Sequence, residues 1–265
     1  MLLEHEVYSY ATQWVIEAGE MIRNLMRNEL DIRIKLSHSD LVTRIDEEVE
    51  RFLVEKIRAY YPDHNIIGEE NIHNVKSSST YMWIIDPIDG TTNLINRKQD
   101  FAISVAFCEQ NRGIFGIVNA VMNDMLLCSF HKEGAYMNGN KLEMLPLDNR
   151  LENELLAVTL PWSEIHDQDT WRPYSKLIAA ARGIRVYGAS TLELSDIALS
   201  RSGAYVHHDI KAYDYAASRV ILEEIGCKFT DLSGQEINWT YNGGIIAAIP
   251  TILEQIVFLL KSEAR

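Results

Sequence analysis

The sequence predicts an α/β (α+β) fold, a layered αβαβα sandwich with a mostly antiparallel N-terminal sheet and a smaller C-terminal α/β sheet. Apolar residues recur at helical spacing near the N-terminus, short turns separate strand-like runs in the middle, and strand and helix patterns alternate after residue 155. With 265 residues the chain is near the upper size for one hydrophobic core. We therefore expect one large domain or two closely packed halves, residues 1–150 and 151–265.

Two amphipathic helices are predicted before the first strand. The first covers residues 7–26, and the second begins near Thr43 and ends before Tyr61-Pro62. A polar stretch, residues 31–40, connects them. The apolar stripe of each helix is expected to pack against the core.

The middle of the chain is rich in strands. Short polar turns separate its β-type runs, which favours antiparallel pairing of neighbouring strands. The predicted strands are 82–85, 102–108, 114–121 and 126–130.

The second half has the alternating pattern of layered α/β proteins. Strands are predicted at 155–160, 184–187, 204–207, 227–230 and 245–249. Helices are predicted at 175–182, 192–200 and 215–225, with a last one from Thr251 onwards.

The formal net charge of -13 argues against nucleic acids and anionic membranes as partners. Both need a basic face, and no cluster of lysines and arginines is visible. The same charge should repel a phosphate ester, unless bound divalent cations invert the local potential.

Cysteine usage and the N-terminus both predict a cytoplasmic protein. Cys108, Cys128 and Cys227 lie far apart in apolar stretches without a C-x-x-C pair, so we expect reduced core thiols. The N-terminus has acidic residues where a signal peptide has basic ones. No apolar run approaches the ~18 residues of a membrane span.

The segment most informative about chemistry is residues 86–93, Asp-Pro-Ile-Asp-Gly-Thr-Thr-Asn, directly after an apolar strand. Because Mg²⁺ prefers carboxylate and carbonyl oxygens, Asp86, Asp89 and the Ile88 carbonyl could share two metals. A helix opening at Gly90 would direct free backbone N–H groups at a phosphate. Taken alone, two aspartates around a turn are more often structural.

The whole octapeptide resembles the signature of the inositol monophosphatase family, D-P-I/L-D-G-T-T-N after a strand. The similarity continues in the same order along most of the chain. Residues 40–46 are similar to the family's D-L-V-T-x-x-D, and 68–70 match its G-E-E. Residues 211–217 are similar to its W-D-x-A-A/G, with Tyr213 in place of the usual tryptophan.

The resemblance implies a role for each matching residue. Asp46 would pair with Thr91 in a proton relay, and Glu69 would help to activate the attacking water. Without the resemblance, Thr43 is typical of a helix N-cap with Asp46 as an acid of the first turn, and Asp214 is typical of an N-cap. The implied ligands of two or three Mg²⁺ ions are Glu69, Asp86, the Ile88 carbonyl, Asp89 and Asp214.

The resemblance also implies residues that contact the substrate. The phosphate would lie against Asp89, Gly90, Thr91 and Thr92, and the alcohol part against Gly188, Ala189 and Ser190. Ser190 and Thr191 could equally cap the helix that follows them. Lys35 matches a lysine of the family's mobile loop near a third metal site, with Glu70 as a further candidate there.

His207 departs from the family pattern. Inositol-specific members usually have an acidic residue there, which accepts hydrogen bonds from sugar hydroxyls, and a histidine does not offer the same acceptors. The identity of the leaving group is therefore open. A metal site shared with His208 is disfavoured, because neighbouring strand residues point to opposite faces.

The resemblance implies a Mg²⁺-dependent phosphomonoesterase for inositol monophosphate-type substrates, sensitive to lithium and homodimeric. Open alternatives in the same superfamily are a nucleotide 2′/3′-phosphatase, acting on NADP or adenosine 3′,5′-bisphosphate, and a fructose-1,6-bisphosphatase. A metal-stabilised binding protein without turnover is an alternative from another class. The presence of Glu69, Asp46 and Thr91 counts against it.

Overall fold

The structure contains two large sheets with helices between and outside them. The computed structural model describes residues 2–27, 32–34, 41–70, 77–146, 148–161 and 166–261. The helices are α1 (Leu2–Leu25), α2 (Arg44–Tyr60), α3 (Thr91–Arg97), α4 (Gln168–Ala180), α5 (Ser190–Ala198), α6 (Ala212–Glu223) and α7 (Pro250–Lys261). The strands are β1 (Ile32–Ile34), β2 (Leu41–Thr43), β3 (Asn65–Gly68), β4 (Tyr81–Asp89), β5 (Ala102–Glu109), β6 (Arg112–Ala120), β7 (Met125–Phe130), β8 (Gly134–Met137), β9 (Asn140–Lys141), β10 (Leu155–Thr159), β11 (Gly183–Arg185), β12 (Ala204–Ile210), β13 (Lys228–Asp231) and β14 (Gly243–Ala248).

The first sheet has seven strands in the order β3-β4-β5-β6-β7-β8-β9. β3 runs parallel to β4, and every other neighbouring pair is antiparallel. The predicted mostly antiparallel N-terminal sheet is confirmed. Short connections join neighbouring strands from β5 to β9, whereas α3 lies between β4 and β5.

The second sheet has five strands in the order β11-β10-β12-β14-β13. β10 is parallel to both of its neighbours, whereas β14 is antiparallel to both of its own. The predicted smaller C-terminal α/β sheet is also confirmed. The proposed boundary near residue 150 lies between β9 and β10.

The sheets and helices form five layers. α1 and α2 contact each other and cover one face of the first sheet, and α6 lies against its other face. α5 and α6 also contact strands of the second sheet, and α7, packed against α4, contacts β14. None of the described helices is long and apolar enough to cross a bilayer.

The central strands of the first sheet are buried on both faces, so they lack the alternation of a half-exposed strand. In β4, Trp83 and Ile85 belong to the core under α1 and α2. Ile84, between them, belongs to the core shared with α6 and the second sheet. This position makes β4 a rigid support for whatever follows its last residue.

The prediction that two helices precede any strand is wrong, since β1 and β2 form an antiparallel pair before α2. Each strand has three residues, which is too short for an alternating pattern to show in a polar stretch. The last residue of β2, Thr43, is the predicted N-cap of α2, and its hydroxyl accepts the Ile45 N–H.

The helix predicted at 175–182 begins earlier in the structure. The side chain of Asp167 accepts the Asp169 N–H at 3.1 Å and caps α4, which starts at Gln168. Pro173 lies inside this helix. Because proline disfavours a helix interior, the sequence pattern indicated only the part after it.

The first sheet and α6 approach each other at backbone distance. A Cβ atom on Gly116 of β6 would lie 2.2 Å from the carbonyl oxygen of Ala217 on α6. Ala216 and Ala217 are fully buried and present no large side chain to the sheet. The main chain of α6 is therefore held directly against the middle of β6.

This close approach predicts that Gly116→Ala destabilises the protein. The added methyl group meets backbone atoms that cannot rotate away, so we expect the free energy of unfolding to fall by about 3 kcal/mol or more. Urea denaturation measures the change. Gly183→Ala on the edge strand β11 is the control, because the nearest atom there is a Leu155 methyl carbon at 3.3 Å. Equal losses in the two variants would contradict the prediction.

Candidate active site

Two aspartates lie at the end of β4, on the same side of the sheet. Residues three apart on a regular strand point to opposite faces. Here Asp86 pairs with Ser104 and Asp89 with Ala102, and the register shifts between them. Because Ser104 and Ala102 are two residues apart on β5, this bulge brings both aspartates to one face. Asp86 is further fixed by the Ile88 N–H, which its Oδ1 accepts at 2.9 Å.

Asp214 joins the two aspartates from the first turn of α6. Asp86, Asp89 and Asp214 each offer a carboxylate oxygen, and these oxygens all lie within 4.8 Å of one another. Asp214 also accepts the Lys211 N–H at 3.0 Å, so it caps α6 at the same time. The capping geometry therefore aims this carboxylate at the aspartates.

Glu69 lies at the same cluster. It follows β3 directly, and its N–H donates to the Ile85 carbonyl of β4 at 3.2 Å. Burial raises the pKa of Asp86 well above its usual range, and the negative charges of Glu69, Asp89 and Asp214 raise it further. Burial also raises the pKa of Asp214, with Asp89 and Glu69 adding to the effect.

The donor set at this cluster fits a divalent cation. Asp86 Oδ2 is buried and accepts no hydrogen bond in the described part of the chain. A buried carboxylate among other carboxylates needs a positive charge or a proton. Four acidic side chains beside a main-chain carbonyl, that of Ile88, are the oxygen ligands that a hard cation such as Mg²⁺ prefers.

Asp46 and Thr91 form the predicted pair. Thr91, the first residue of α3, donates its hydroxyl to Asp46 Oδ1 at 2.8 Å, and this hydroxyl also lies 3.2 Å from the Ile88 carbonyl. The other oxygen of Asp46 accepts the N–H of Thr43 at 2.9 Å and its hydroxyl at 2.5 Å. Asp46 is thus both a cap of α2 and a partner of the turn at Gly90. Burial raises its pKa, and the bonds from Thr43 and Thr91 lower it.

Asp89 is held from the second half of the chain by Thr191 of α5. Its Oδ2 accepts the Thr191 N–H at 2.5 Å and also the Thr191 hydroxyl. Burial raises the pKa of Asp89, and these bonds lower it. Two donors therefore fix one oxygen of this aspartate.

The turn after Asp89 lies beside the segment that precedes α5. Gly90 has a φ of 96°, which an L-residue rarely adopts, and it is the N-cap of α3. A Cβ atom on Gly90 would lie 3.0 Å from that of Ala189. Thr92, the second residue of α3, is exposed. The predicted phosphate side and the predicted alcohol side are thus direct neighbours.

His207 lies on the same face of β12 as Tyr205, two residues before it, whose hydroxyl donates to Ser190 Oγ at 2.9 Å. Burial lowers the pKa of His207 to about 4, so its ring is neutral at pH 7. Its Nδ1 accepts the Asp209 N–H at 3.1 Å, which leaves the proton on Nε2. His207 therefore offers a hydrogen-bond donor. The adjacent His208 bonds instead to the hydroxyl of Tyr174 at 2.9 Å.

With this geometry in place, comparison with known proteins decides the family. Residues 3–263 match the model of the inositol monophosphatase family. The chain belongs to the inositol monophosphatase family. This confirms the family that the octapeptide predicted.

Individual members of the family resemble the chain over nearly its whole length. It is 35% identical over 255 residues to inositol-1-monophosphatase of Bacillus subtilis strain 168, covering 95% of each sequence. A crystal structure of SaIMPase-II bound to 2′AMP superposes with a TM-score of 0.85 at 28% identity, covering 95% of this chain and 93% of that one. An IMPase/NADP phosphatase complexed with Mg²⁺ and phosphate superposes with a TM-score of 0.89 at 24% identity, covering 99% and 97%. The predicted sandwich fold is the fold of these proteins.

Sequence reasoning missed two polar residues of this family member's site. The sequence indicates Thr191 only as a possible helix cap, and Asn93 only as the last residue of the octapeptide. Asn93 Nδ2 donates to the carbonyls of Asp100 at 2.9 Å and Tyr187 at 2.8 Å. The available signals were the place of Asn93 within the octapeptide and the position of Thr191 directly after residues 188–190.

The predicted loop residues are less fully described. Lys35 lies outside the described residues. The N–H of Glu70 donates to a carboxylate oxygen of the buried Glu50 at 2.8 Å, which holds the main chain next to Glu69 against α2.

We predict that the His207 ring stays neutral at about pH 5.5, where a histidine with the ordinary pKa is mostly protonated. Between pH values of about 6.5 and 4 the unfolded chain binds a proton that the folded chain does not. The free energy of unfolding should therefore fall as the pH is lowered through this range, and less so for His207→Gln. Ring ¹⁵N NMR shifts follow the protonation directly. A ring that titrates near pH 6.5 would contradict the prediction.

Proposed function

We propose that the protein is a Mg²⁺-dependent phosphomonoesterase that hydrolyses inositol monophosphate-type esters with a metal-activated water. The observation that carries the proposal is the convergence of Asp86, Asp89 and Asp214 within 4.8 Å, beside Glu69 and the first turn of α3. Membership of the inositol monophosphatase family supports it. So does the B. subtilis relative, which is named for this activity.

The ligands of two or three Mg²⁺ ions would be Glu69, Asp86, the Ile88 carbonyl, Asp89 and Asp214. When bound, the ions would supply positive charge next to the phosphoryl group and lower the pKa of the attacking water. The raised pKa values of Asp86 and Asp214 support this assignment, because each carboxylate lacks a nearby counter-charge among the described residues.

The side chains around the cluster would handle the proton of the attacking water. Because the Thr91 hydroxyl donates to Asp46, its oxygen lone pairs are free to accept a hydrogen bond from the nucleophile. Glu69 would help to activate the water, whose proton would pass to the Thr91 hydroxyl as Thr91 gives its own proton to Asp46. The phosphoryl oxygens would lie against Asp89, Gly90, Thr91 and Thr92, since the first N–H groups of a helix have no intrahelical partner.

The alcohol part of the ester would lie against Gly188, Ala189, Ser190 and His207. A neutral His207 with its proton on Nε2 offers a donor, whereas an acidic residue offers only acceptors to polyol hydroxyls. This observation favours a second candidate function, a nucleotide 2′/3′-phosphatase, because purine rings carry acceptor nitrogens. The 2′AMP complex of SaIMPase-II adds support.

The remaining expectations follow from the sequence and the family. We propose a cytoplasmic, lithium-sensitive homodimer, and the free thiols of Cys108, Cys128 and Cys227 agree with a reducing compartment. The intact Thr91 to Asp46 hydrogen bond counts against a binding protein without turnover.

Asp89→Asn tests the metal assignment. Removing one negative charge from a shared ligand should lower kcat by about a hundredfold or more, because both metal binding and orientation of the phosphate suffer. Phosphate release at saturating Mg²⁺ measures the effect. Asp124→Asn is the matched control, because this aspartate is a surface residue with a positive φ that asparagine tolerates. Near-normal turnover of Asp89→Asn would contradict the assignment.

A substrate panel tests the proposed activity and its alternatives. Phosphate release from inositol 1-phosphate, 2′AMP, NADP, adenosine 3′,5′-bisphosphate and fructose 1,6-bisphosphate should depend on Mg²⁺ and stop with a chelator. We expect the highest kcat/KM with inositol 1-phosphate. A higher kcat/KM with the nucleotides would favour the nucleotide 2′/3′-phosphatase over the inositol monophosphatase activity. Undiminished hydrolysis in the presence of chelator would refute the metal-dependent mechanism.

A further inference from the structure

Glu193 is an acidic side chain buried inside the second half of the chain. It is 1% exposed, and no ion pair with a basic side chain is seen for it among the described residues, which is a rare state for a glutamate. Burial raises its pKa to about 7, and the charges that act on it include two acids, Asp89 and Asp196. Such a position is costly, so the contacts of the carboxylate indicate what it does.

The carboxylate of Glu193 binds the main chain that precedes its own helix. Its Oε1 accepts the N–H of Tyr187 at 2.5 Å and that of Gly188 at 3.3 Å. The N-cap of α5 is Ala189, so both donors lie before the helix begins. In a capping box the side chain would reach back only to the N-cap N–H. Glu193 reaches further, and ordinary helix capping does not explain it.

The same stretch of main chain is held from the phosphate side. Asn93 of α3 donates its Nδ2 to the Tyr187 carbonyl at 2.8 Å. The N–H of Tyr187 points to Glu193 and its C=O to Asn93. Tyr187 therefore has its main chain bonded on both sides, once to each half of the protein.

The first turn of α5 also contacts one of the proposed metal ligands, Asp89. Thr191 lies two residues before Glu193, and it donates both its N–H and its hydroxyl to Asp89. Ala189 lies next to Gly90. One helical turn thus fixes a proposed metal ligand through Thr191 and the neighbouring segment through Glu193.

We propose that Glu193 is a positioning residue that holds the main chain of Tyr187 and Gly188, and so places Ala189 and Ser190 against the alcohol part of the ester. The inference rests on the proposed phosphatase function. On this assignment Glu193 itself would contact neither the phosphate nor the metal ions, since its Oε1 binds the main chain of Tyr187 and Gly188. Replacing Glu193 should therefore lower kcat/KM more for esters with a large alcohol part than for esters with a small one.

Three substitutions of Glu193 distinguish a role in positioning the main chain from a role in the stability of the whole protein. Glu193→Gln keeps an oxygen acceptor at the same reach, Glu193→Asp keeps the charge but is one methylene shorter, and Glu193→Leu removes the acceptor. Ile197→Ala is the matched control, since Ile197 lies on the same helix and is equally buried but belongs to the apolar core.

The experiment compares inositol 1-phosphate with methyl phosphate, whose alcohol part is too small to reach the segment. For Glu193→Leu and Glu193→Asp, we expect kcat/KM for inositol 1-phosphate to fall about tenfold, mostly through KM, and that for methyl phosphate to change less than about threefold. Glu193→Gln should stay within about threefold of the wild type with both esters. Ile197→Ala should lower Tm without changing the ratio between the esters.

Amide hydrogen exchange of the metal-free protein provides a readout that does not depend on activity. The amides of Tyr187 and Gly188 should exchange about tenfold faster in Glu193→Leu, and at wild-type rates in Glu193→Gln. Unchanged exchange, or an unchanged ratio between the esters in the Leu and Asp variants, would overturn the inference. A wild-type protein that hydrolyses neither ester would refute the proposed function, while the exchange rates would still decide whether Glu193 holds the segment.

Discussion

Repulsion among buried carboxylates is the constraint on which the rest of this structure depends. Asp86 and Asp89 are buried and Asp214 is partly buried, and their carboxylate oxygens lie within 4.8 Å of one another, where little water screens their charges. Only a rigid backbone holds such groups together before a cation arrives. The fold supplies it with a strand buried on both faces and a helix that touches the sheet at backbone distance.

The site is built across the two halves of the chain and depends on bonds between them. β3 and β4 supply Glu69, Asp86 and Asp89, whereas α6 supplies Asp214. The bonds from Thr191 to Asp89 and from Asn93 to the Tyr187 carbonyl join the halves at the site itself. The apolar core shared by the first sheet, α6 and the second sheet also joins the two halves, over a larger area than these hydrogen bonds. Neither half contains a complete set of the proposed groups.

Local patterns in the sequence predicted most of the helices and strands, but they predicted few of the contacts between residues that are far apart in the chain. Helical periodicity and the Thr43 cap located α2, because a cap and its helix are neighbours in the chain. The three-residue strands β1 and β2 were missed because they are shorter than any pattern. The octapeptide, together with the segments at 68–70 and 211–217, indicated the proposed metal ligands through family resemblance. The Thr191 to Asp89 bond spans 102 residues, and the burial of Glu193 depends on tertiary packing, so neither leaves a local signal.

The bulge between Asp86 and Asp89 has a consequence for how this motif can change over time. Single amino-acid replacements within it alter chemistry but leave the two side chains on one face. Deleting Pro87 or Ile88 would restore regular pairing with β5 and leave both aspartates on one face, but it would remove the extra residue from the main chain that links them. Replacement of residues between the aspartates is therefore compatible with this arrangement, whereas loss of a single codon would change the path of the main chain that carries the Ile88 carbonyl.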